Sequence, residues 1–293
     1  MIRTVPATSA ICPITGNASH EYARKGNAVY LRDAASSIIF LAQRPQLDDM
    51  AAFVDAEYEA GVYRDYVNAR ELKLVTMRRR LPLIRAHARG PRLLDVGCAT
   101  GFFLEVALEA GFDPAGIELS PVAIDLAQPS VRERITKGDV NTVLATHSRQ
   151  FDVVTAFDII EHTFDPVSFL DDIARVLLPG GLLVLSTPDT GHWLRLLMRS
   201  RWPMLQPDQH MFLFSREAMR TLLVSRGYEP LVVKSERKVL TIDYLFGQLR
   251  QTNPTLAQYL DRAKRMLPRA VRYREVAVNI GEMLVCARKR PAA

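Results

Sequence analysis

The stretch LLDVGCATGFFLEVALEAG, Leu93 to Gly111, runs an apolar strand pattern into two closely spaced glycines and then directly into an amphipathic helical pattern. No other feature of the chain limits its fold as sharply. From Pro91 onward, short apolar runs alternate with helical segments, the arrangement expected of an α/β fold in which helices cover both faces of a parallel sheet. Strands are predicted at RLLDV, PAGIEL, RITKGDV, FDVVTAFD, LLVLSTP, EPLVVKSE and EMLVCAR. Between them, FFLEVALEAG, SPVAIDLAQ, DPVSFLDDIARVLLPGG and SREAMRTLLVSRGY read as helices. Asp165 and Ser215 stand where N-caps belong, Pro166 takes a first helical position, and glycines follow each end.

The rest of the chain is organised around this unit. Residues 1–47 are rich in Ala, Ser, Thr and Asn and read as an N-terminal extension with short strands near AVYL and SIIFL. Residues 48–90 carry apolar residues at three- and four-residue spacing, a helical lead-in of two helices, the second kinked or split by Pro82. Residues 91–293 form the main domain, interrupted at about 240–275 by a helical insertion longer than an ordinary strand connection. Nothing approaches the roughly 20 uninterrupted apolar residues of a spanning helix, and the first residues lack the apolar core of a leader. Cys12, Cys98 and Cys286 lie far apart and make no disulfide framework, so a reduced, cytoplasmic protein is expected. Part of the basic excess behind the net charge of +6 is clustered in MRRRLPLIRAHARGPR, DRAKRMLPRAVRYR and ARKR. Such clusters suit phosphate, nucleic acid or an anionic surface, but they are read first as solvated faces.

The glycine turn has a chemical reading. Gly97 and Gly101 lack a Cβ, so a ligand can touch main chain between the strand and the helix N-terminus. Asp95 suits an ammonium group better than a phosphate, which separates this turn from the Gly-x-Gly-x-x-Gly pyrophosphate turn. Glu118 ends the second strand, where a carboxylate accepts from both hydroxyls of a ribose, and Asp139 follows the third, placed to read an adenine amino edge. Singly these are turn residues and helix-dipole partners; in this order they describe an adenosine site.

At this point the chain resembles the class I S-adenosylmethionine-dependent methyltransferases, through LLDVGCATG, GIELS, KGDV and FDVVTAFDIIEHTFDP followed by LLPGGLLVLSTP. The resemblance implies a Rossmann-like, seven-stranded, mostly parallel sheet with S-adenosyl-L-methionine as cofactor. Asp95, Gly97 and Gly101 would hold the methionine end, Glu118 the ribose and Asp139 the adenine. Cys98, Leu119, Val140, Phe157 and Asp158 complete the expected contact set.

DIIEH places Asp158, Glu161 and His162 at the carboxyl end of the fourth strand, and QHMFLFSREAM places His210 before a capped helix. A hydroxyl acceptor must lose a proton as it takes a methyl group, and His162 is the natural base, with Glu161 and His210 as its companions. Similar histidine placements occur in ubiquinone-pathway O-methyltransferases and in metal-dependent methyltransferases of small-RNA 3′ ends. The second resemblance raises a divalent cation, Mg²⁺ or Mn²⁺, at Asp158, Glu161, His162 and His210. Trp193, Trp202 and Phe212, with Arg195, Arg199 and Arg201, surround this stretch without an assigned role.

CPITG and AVYLRDAASSIIFLAQRP resemble the N-terminal segment of methyltransferases that carry a zinc knuckle. Cys12 remains, but Thr15, Arg32 and Ala35 stand where the other cysteines would fall, so zinc is not expected. The expectation is therefore O-methylation of a small metabolite, a sugar or a lipid-linked precursor. RNA methylation and a non-catalytic cofactor-binding protein are the alternatives, and nucleic acid is not the favoured partner.

Overall fold

The computed structural model describes residues 4–5, 11–45, 67–146, 150–246, 258–259, 261, 264 and 266–291. The first lead-in helix, expected in LDDMAAFVDAEYEAGVY, and much of the insertion lie outside the described residues.

Besides a two-residue strand pair, Thr4–Val5 with Arg44–Pro45, three strands come first: β1 (Ser19–Lys25), β2 (Ala28–Asp33) and β3 (Ile39–Leu41). Helix α1 (Arg70–His87) leads into β4 (Arg92–Val96), α2 (Phe102–Glu109), β5 (Asp113–Glu118), α3 (Pro121–Asp125) and β6 (Ile135–Lys137). There follow β7 (Phe151–Phe157), α4 (Pro166–Val176), β8 (Leu177–Pro188), α5 (Trp193–Met198) and β9 (Phe212–Leu213). The last elements are α6 (Arg216–Ser225), β10 (Tyr228–Leu240) and β11 (Val276–Lys289).

The main sheet has seven strands in the order β10-β11-β8-β7-β4-β5-β6. Pairing is parallel from β8 through β6, and β11 is antiparallel to both of its neighbours. Its two faces follow the alternation of strand side chains. Leu93, Val153, Leu182, Val184, Leu284 and Cys286 pack with Ile84 of α1 and Phe103 of α2. Their sequence neighbours Leu94, Val154, Leu183, Leu185 and Val285 pack with Ile173 of α4 and Leu222 of α6. At roughly 1.5–3 kcal/mol for each large side chain buried, these two layers dominate the stability of the domain. Asp165 caps α4 as expected, accepting from the Val167 amide at 2.9 Å and the Ser168 amide at 3.3 Å. Strand order reverses between β4 and β7, which opens a crevice at the carboxyl ends of the parallel strands.

One expectation is corrected and one is enlarged. Pro82 neither splits nor ends α1, which runs unbroken through it. The proline lies on the exposed face, where water can take the Arg78 carbonyl that a proline leaves without its amide. The N-terminal segment is also more than an extension with two short strands. It forms an antiparallel sheet, β9-β3-β2-β1, that recruits β9 from residues 212–213. Strand β1 escaped notice because SHEYARK is largely polar, an edge strand with little apolar alternation to reveal it. Within this sheet the buried Asp33 ties two turns together, accepting from the Thr15 hydroxyl and from the amides of Ala35 (2.7 Å) and Ser36 (2.9 Å). Burial alone would raise its carboxyl, but these hydrogen bonds outweigh it and hold it at about 2. No helix among the described residues is long and apolar enough to cross a membrane.

Candidate functional site

Asp95, next to last in β4, is almost fully buried, and its Oδ1 accepts a 2.6 Å hydrogen bond from the Thr155 hydroxyl of β7. Burial pushes its carboxyl up to about 7, against the Thr155 bond and the nearby Arg80 charge. The chain then turns through Gly97 at φ +66 and Gly101 at φ +77. The left-handed conformation favours glycine, and a Cβ on Gly97 would stand 2.2 Å from Ile159 Cδ1, so that side chain would have to shift. Ala99 between them takes φ +48 and donates its amide to Glu118 Oε2 at 2.9 Å, while the Ser120 amide donates to Oε1 at 3.0 Å. Glu118 thus closes the cradle from β5.

The remaining expected contacts fall into two sorts. Leu119 is exposed beside Glu118, and Asp139 is exposed where it caps the helix Val140–Thr146, accepting from the Thr142 amide at 3.0 Å. Phe157 meets Phe103 edge-on at 5.0 Å between ring centroids. Cys98 and Val140 are different: their side chains are buried, Cys98 against Leu104, Ala127 and Val131, so only main chain remains for a ligand. Burial also pushes the Cys98 thiol well up, which suits packing rather than reactivity.

Across the crevice, the turn after β7 carries Glu161 and His162, and the segment entering β9 carries His210. Three contacts bring them together. The Met211 amide donates to the Glu161 carbonyl at 2.8 Å, the Leu41 amide of β3 donates to the Met211 carbonyl at 2.9 Å, and the buried Tyr30 hydroxyl reaches the His210 carbonyl. The N-terminal sheet therefore positions His210. His162 and His210 lie 4.8 Å apart, ring to ring, and each Nδ1 faces a backbone carbonyl, that of Gln209 at 3.0 Å and that of Met204 at 2.7 Å. A carbonyl only accepts, so each Nδ1 carries the proton and each Nε2 presents a lone pair. Burial depresses both imidazoles, His210 to about 3 with the His162 charge as second cause, so both are neutral near pH 7.

Glu161 is buried; desolvation, then the Asp158 charge, push its carboxyl well up, and its Oε2 has no hydrogen-bond partner. Ligand atoms of Glu161, His162 and His210 all lie within 4.8 Å of one another. Asp158 does not join them. Held at φ +58, it accepts from the Ser186 hydroxyl at 2.7 Å and from Lys238 at 2.9 Å. Burial opposes its charge, but Lys238 and Arg80 outweigh burial and hold it well below the carboxylate range.

These partners belong to a buried ionic network absent from the sequence reading. Arg80 of α1 makes a two-pronged pair with Glu236 of β10, both bonds 2.7 Å, reaches the Ser186 hydroxyl, and lies 4.0 Å over the Phe157 ring. Lys238 also pairs with Glu282 of β11, whose carboxyl burial and Asp158 push up to about 7. A signal existed: Thr76, Arg80 and Ile84 recur every fourth residue on one stripe of α1, all buried. The MRRR run masked it by resembling a solvated face.

Comparison with known proteins points one way. A family model described as a methyltransferase domain matches residues 63–233. The ubiquinone biosynthesis O-methyltransferase of Psychrobacter cryohalolentis is 35% identical over 136 residues, covering 44% of this chain and 49% of that protein. That of Thiobacillus denitrificans is 36% identical over 108 residues, 35% of this chain and 47% of that protein. The chain thus spans about half the length of the curated relatives it matches. Among solved structures, magnesium protoporphyrin IX methyltransferase from Synechocystis with bound SAH superposes with a TM-score of 0.53 at 13% identity, over 81% of this chain and 99% of that one. A chain from the Haloferax volcanii complex of the Trm112 methyltransferase activator with a methyltransferase gives 0.54 at 17% identity, over 82% of this chain and 99% of that one. At these identities the structural likeness establishes the shared fold.

Proposed function

This chain belongs to the methyltransferase domain family, and from that membership we propose that it transfers a methyl group from S-adenosylmethionine to an oxygen of a small acceptor. When bound, the cofactor supplies an electrophilic methyl group on a sulfonium sulfur. Asp95 would receive the ammonium of its methionine end and Glu118, whose carboxylate offers about four acceptor positions, the ribose hydroxyls. Asp139 and Leu119 would flank the adenine. The buried, glycine-lined turn matches such a ligand, because Asp95 is strongly desolvated and an arriving cation would relieve that cost.

The observation that carries oxygen as the acceptor is the pair of histidines. Neutral imidazoles with Nδ1–H fixed on carbonyls turn each Nε2 lone pair outward, that of His162 toward a hydroxyl proton, and Ile159, which packs against Gly97, ties their turn to the cradle. His162 is the base, and His210 holds it in place across the 4.8 Å ring contact. The acceptor classes this suits are a small hydroxylated metabolite, a sugar or a lipid-linked precursor.

A second reading concerns a divalent cation. The orphaned buried Oε2 of Glu161 beside two Nε2 lone pairs is a donor set that fits a metal, and Glu161, His162 and His210 would hold it. There it would lower the pKa of a coordinated hydroxyl. The deciding experiment is a methyl-transfer assay across hydroxylated acceptors, run after chelation and again with Mg²⁺ or Mn²⁺ restored. Turnover lost in His162→Ala but indifferent to chelation supports the base; turnover restored only by metal supports the cation. Full activity in His162→Ala under both conditions would sink both readings.

A further inference from the structure

Several arginines of this protein already have a carboxylate, among them Arg24 with Glu21, Arg80 with Glu236, Arg92 with Asp152 and Arg226 with Asp171. Arg32, Arg195 and Arg199 pair with none among the described residues, and they stand together. Two cavities of about 330 and 150 Å³ share Arg195 as a wall. Tyr22 and Arg199 line the larger one, and Arg32, Ser37 and Ser215 the smaller. Among the described residues, no aspartate or glutamate lines either.

The guanidinium groups are braced by neutral partners, so their charge is not cancelled. Arg195 Nη1 donates to the Tyr22 hydroxyl at 2.7 Å and its guanidinium lies 5.7 Å over the same ring, while Arg32 Nη2 donates to the Ser37 hydroxyl at 2.9 Å. Arg195 Nε is buried without an acceptor. A buried donor left unsatisfied is costly, and an anion entering the cavity that Arg195 lines would satisfy it. The charges come from separate elements, Arg32 from β2, Arg195 from α5 and Arg199 just beyond it, with hydroxyls between them. That arrangement suits a tetrahedral anion with acceptors in several directions; a planar carboxylate needs only one guanidinium fork.

We propose that the crevice between the N-terminal sheet and α5 is a phosphate site, which holds a phosphate or diphosphate group of the methyl acceptor. Its identification as an acceptor site rests on the methyl-transfer reading; the anion site itself is testable without turnover. Calorimetric titration of the full chain with inorganic pyrophosphate and with inorganic phosphate should show saturable binding, weakened at least tenfold in both R195Q and R32Q. Affinity for S-adenosylhomocysteine should stay unchanged in both variants. Absence of saturable binding in the wild type, or wild-type affinity in both variants, overturns the site. Should R195Q fail to fold for want of its Tyr22 contact, R32Q and the exposed R199Q carry the same test. Co-sedimentation with phosphatidic acid vesicles separates a lipid source from a soluble one, and binding to vesicles without binding to pyrophosphate overturns the proposal. A chain that binds pyrophosphate but no S-adenosylhomocysteine refutes the methyl-transfer reading and leaves the anion site standing.

Discussion

The cradle around Gly97 and the cluster around His210 are joined through Ile159, which packs against Gly97, but they are built on opposite principles. The cradle is local: Asp95, Gly97, Gly101 and Glu118 lie within 24 residues, on adjacent parallel strands, and their geometry follows from two left-handed glycines and two backbone amides. The histidine cluster is assembled at a distance. Glu161 and His162 meet His210 through β9, which is anchored by an N-terminal strand about 170 residues earlier in the chain. Behind it, four further charged groups from α1, β10 and β11 pair in the dark of the core. A ligand site made of main chain tolerates side-chain drift nearby, whereas one made of buried titratable groups depends on every partner staying in place.

That contrast can be broken experimentally. His162→Ala should lower turnover by roughly 10²- to 10⁴-fold, the usual contribution of a general base, with cofactor affinity within about twofold. A parallel loss of affinity for S-adenosylhomocysteine would show the two regions to be one. Arg80→Met should come next, costing about 3–5 kcal/mol in denaturant unfolding because Glu236 is left charged and buried. The double variant Arg80→Met/Glu236→Met should recover most of it; no recovery would mean that Arg80 acts through packing on Phe157.

Gly97→Ala attacks the cradle instead. Left-handed strain of about 1–3 kcal/mol and the contact with Ile159 should weaken cofactor binding by at least about tenfold by calorimetry, and lower the melting temperature by several degrees, about 2–4 °C per kcal/mol. The smallest effect is a pH dependence. Asp95 is raised to about 7 by burial, so in the free protein the stability it lends is full below its ordinary value near pH 4 and is lost as pH rises through 7. Cofactor binding has the opposite slope, because an ammonium needs the ionised carboxylate. Affinity should fall toward tenfold per unit below pH 7, and Asp95→Asn should abolish that slope. His210, depressed to about 3, lends stability above its ordinary range near 6.5 that is lost as pH falls toward 3. Acid unfolding should therefore soften in His210→Gln, a change read by circular dichroism.

Legibility in the sequence follows the same division. Strands β4 to β8 and the caps Asp165 and Ser215 were readable because apolar alternation and capping chemistry act within a few residues. So was the ordered set of cradle residues. Arg80, Glu236, Lys238 and Glu282 were not, since each carries a charge that reads as solvated until its partner is known. Trp202 and Phe212 proved to be core, whereas Trp193 is exposed, a difference the local pattern does not contain.

What the amino-acid order decides alone is the parallel sheet, its glycine cradle and the presence of imidazoles near its carboxyl edge, because periodicity and backbone freedom are properties of short segments. The folded chain decides the rest: that β11 runs antiparallel between β8 and β10, that β9 joins the N-terminal sheet, and that His210 thereby meets His162. It also decides which charges are neutralised and which arginines are left unpaired. Those outcomes depend on which distant segments exclude water from one another, and desolvation is a property of the packed whole rather than of any stretch within it.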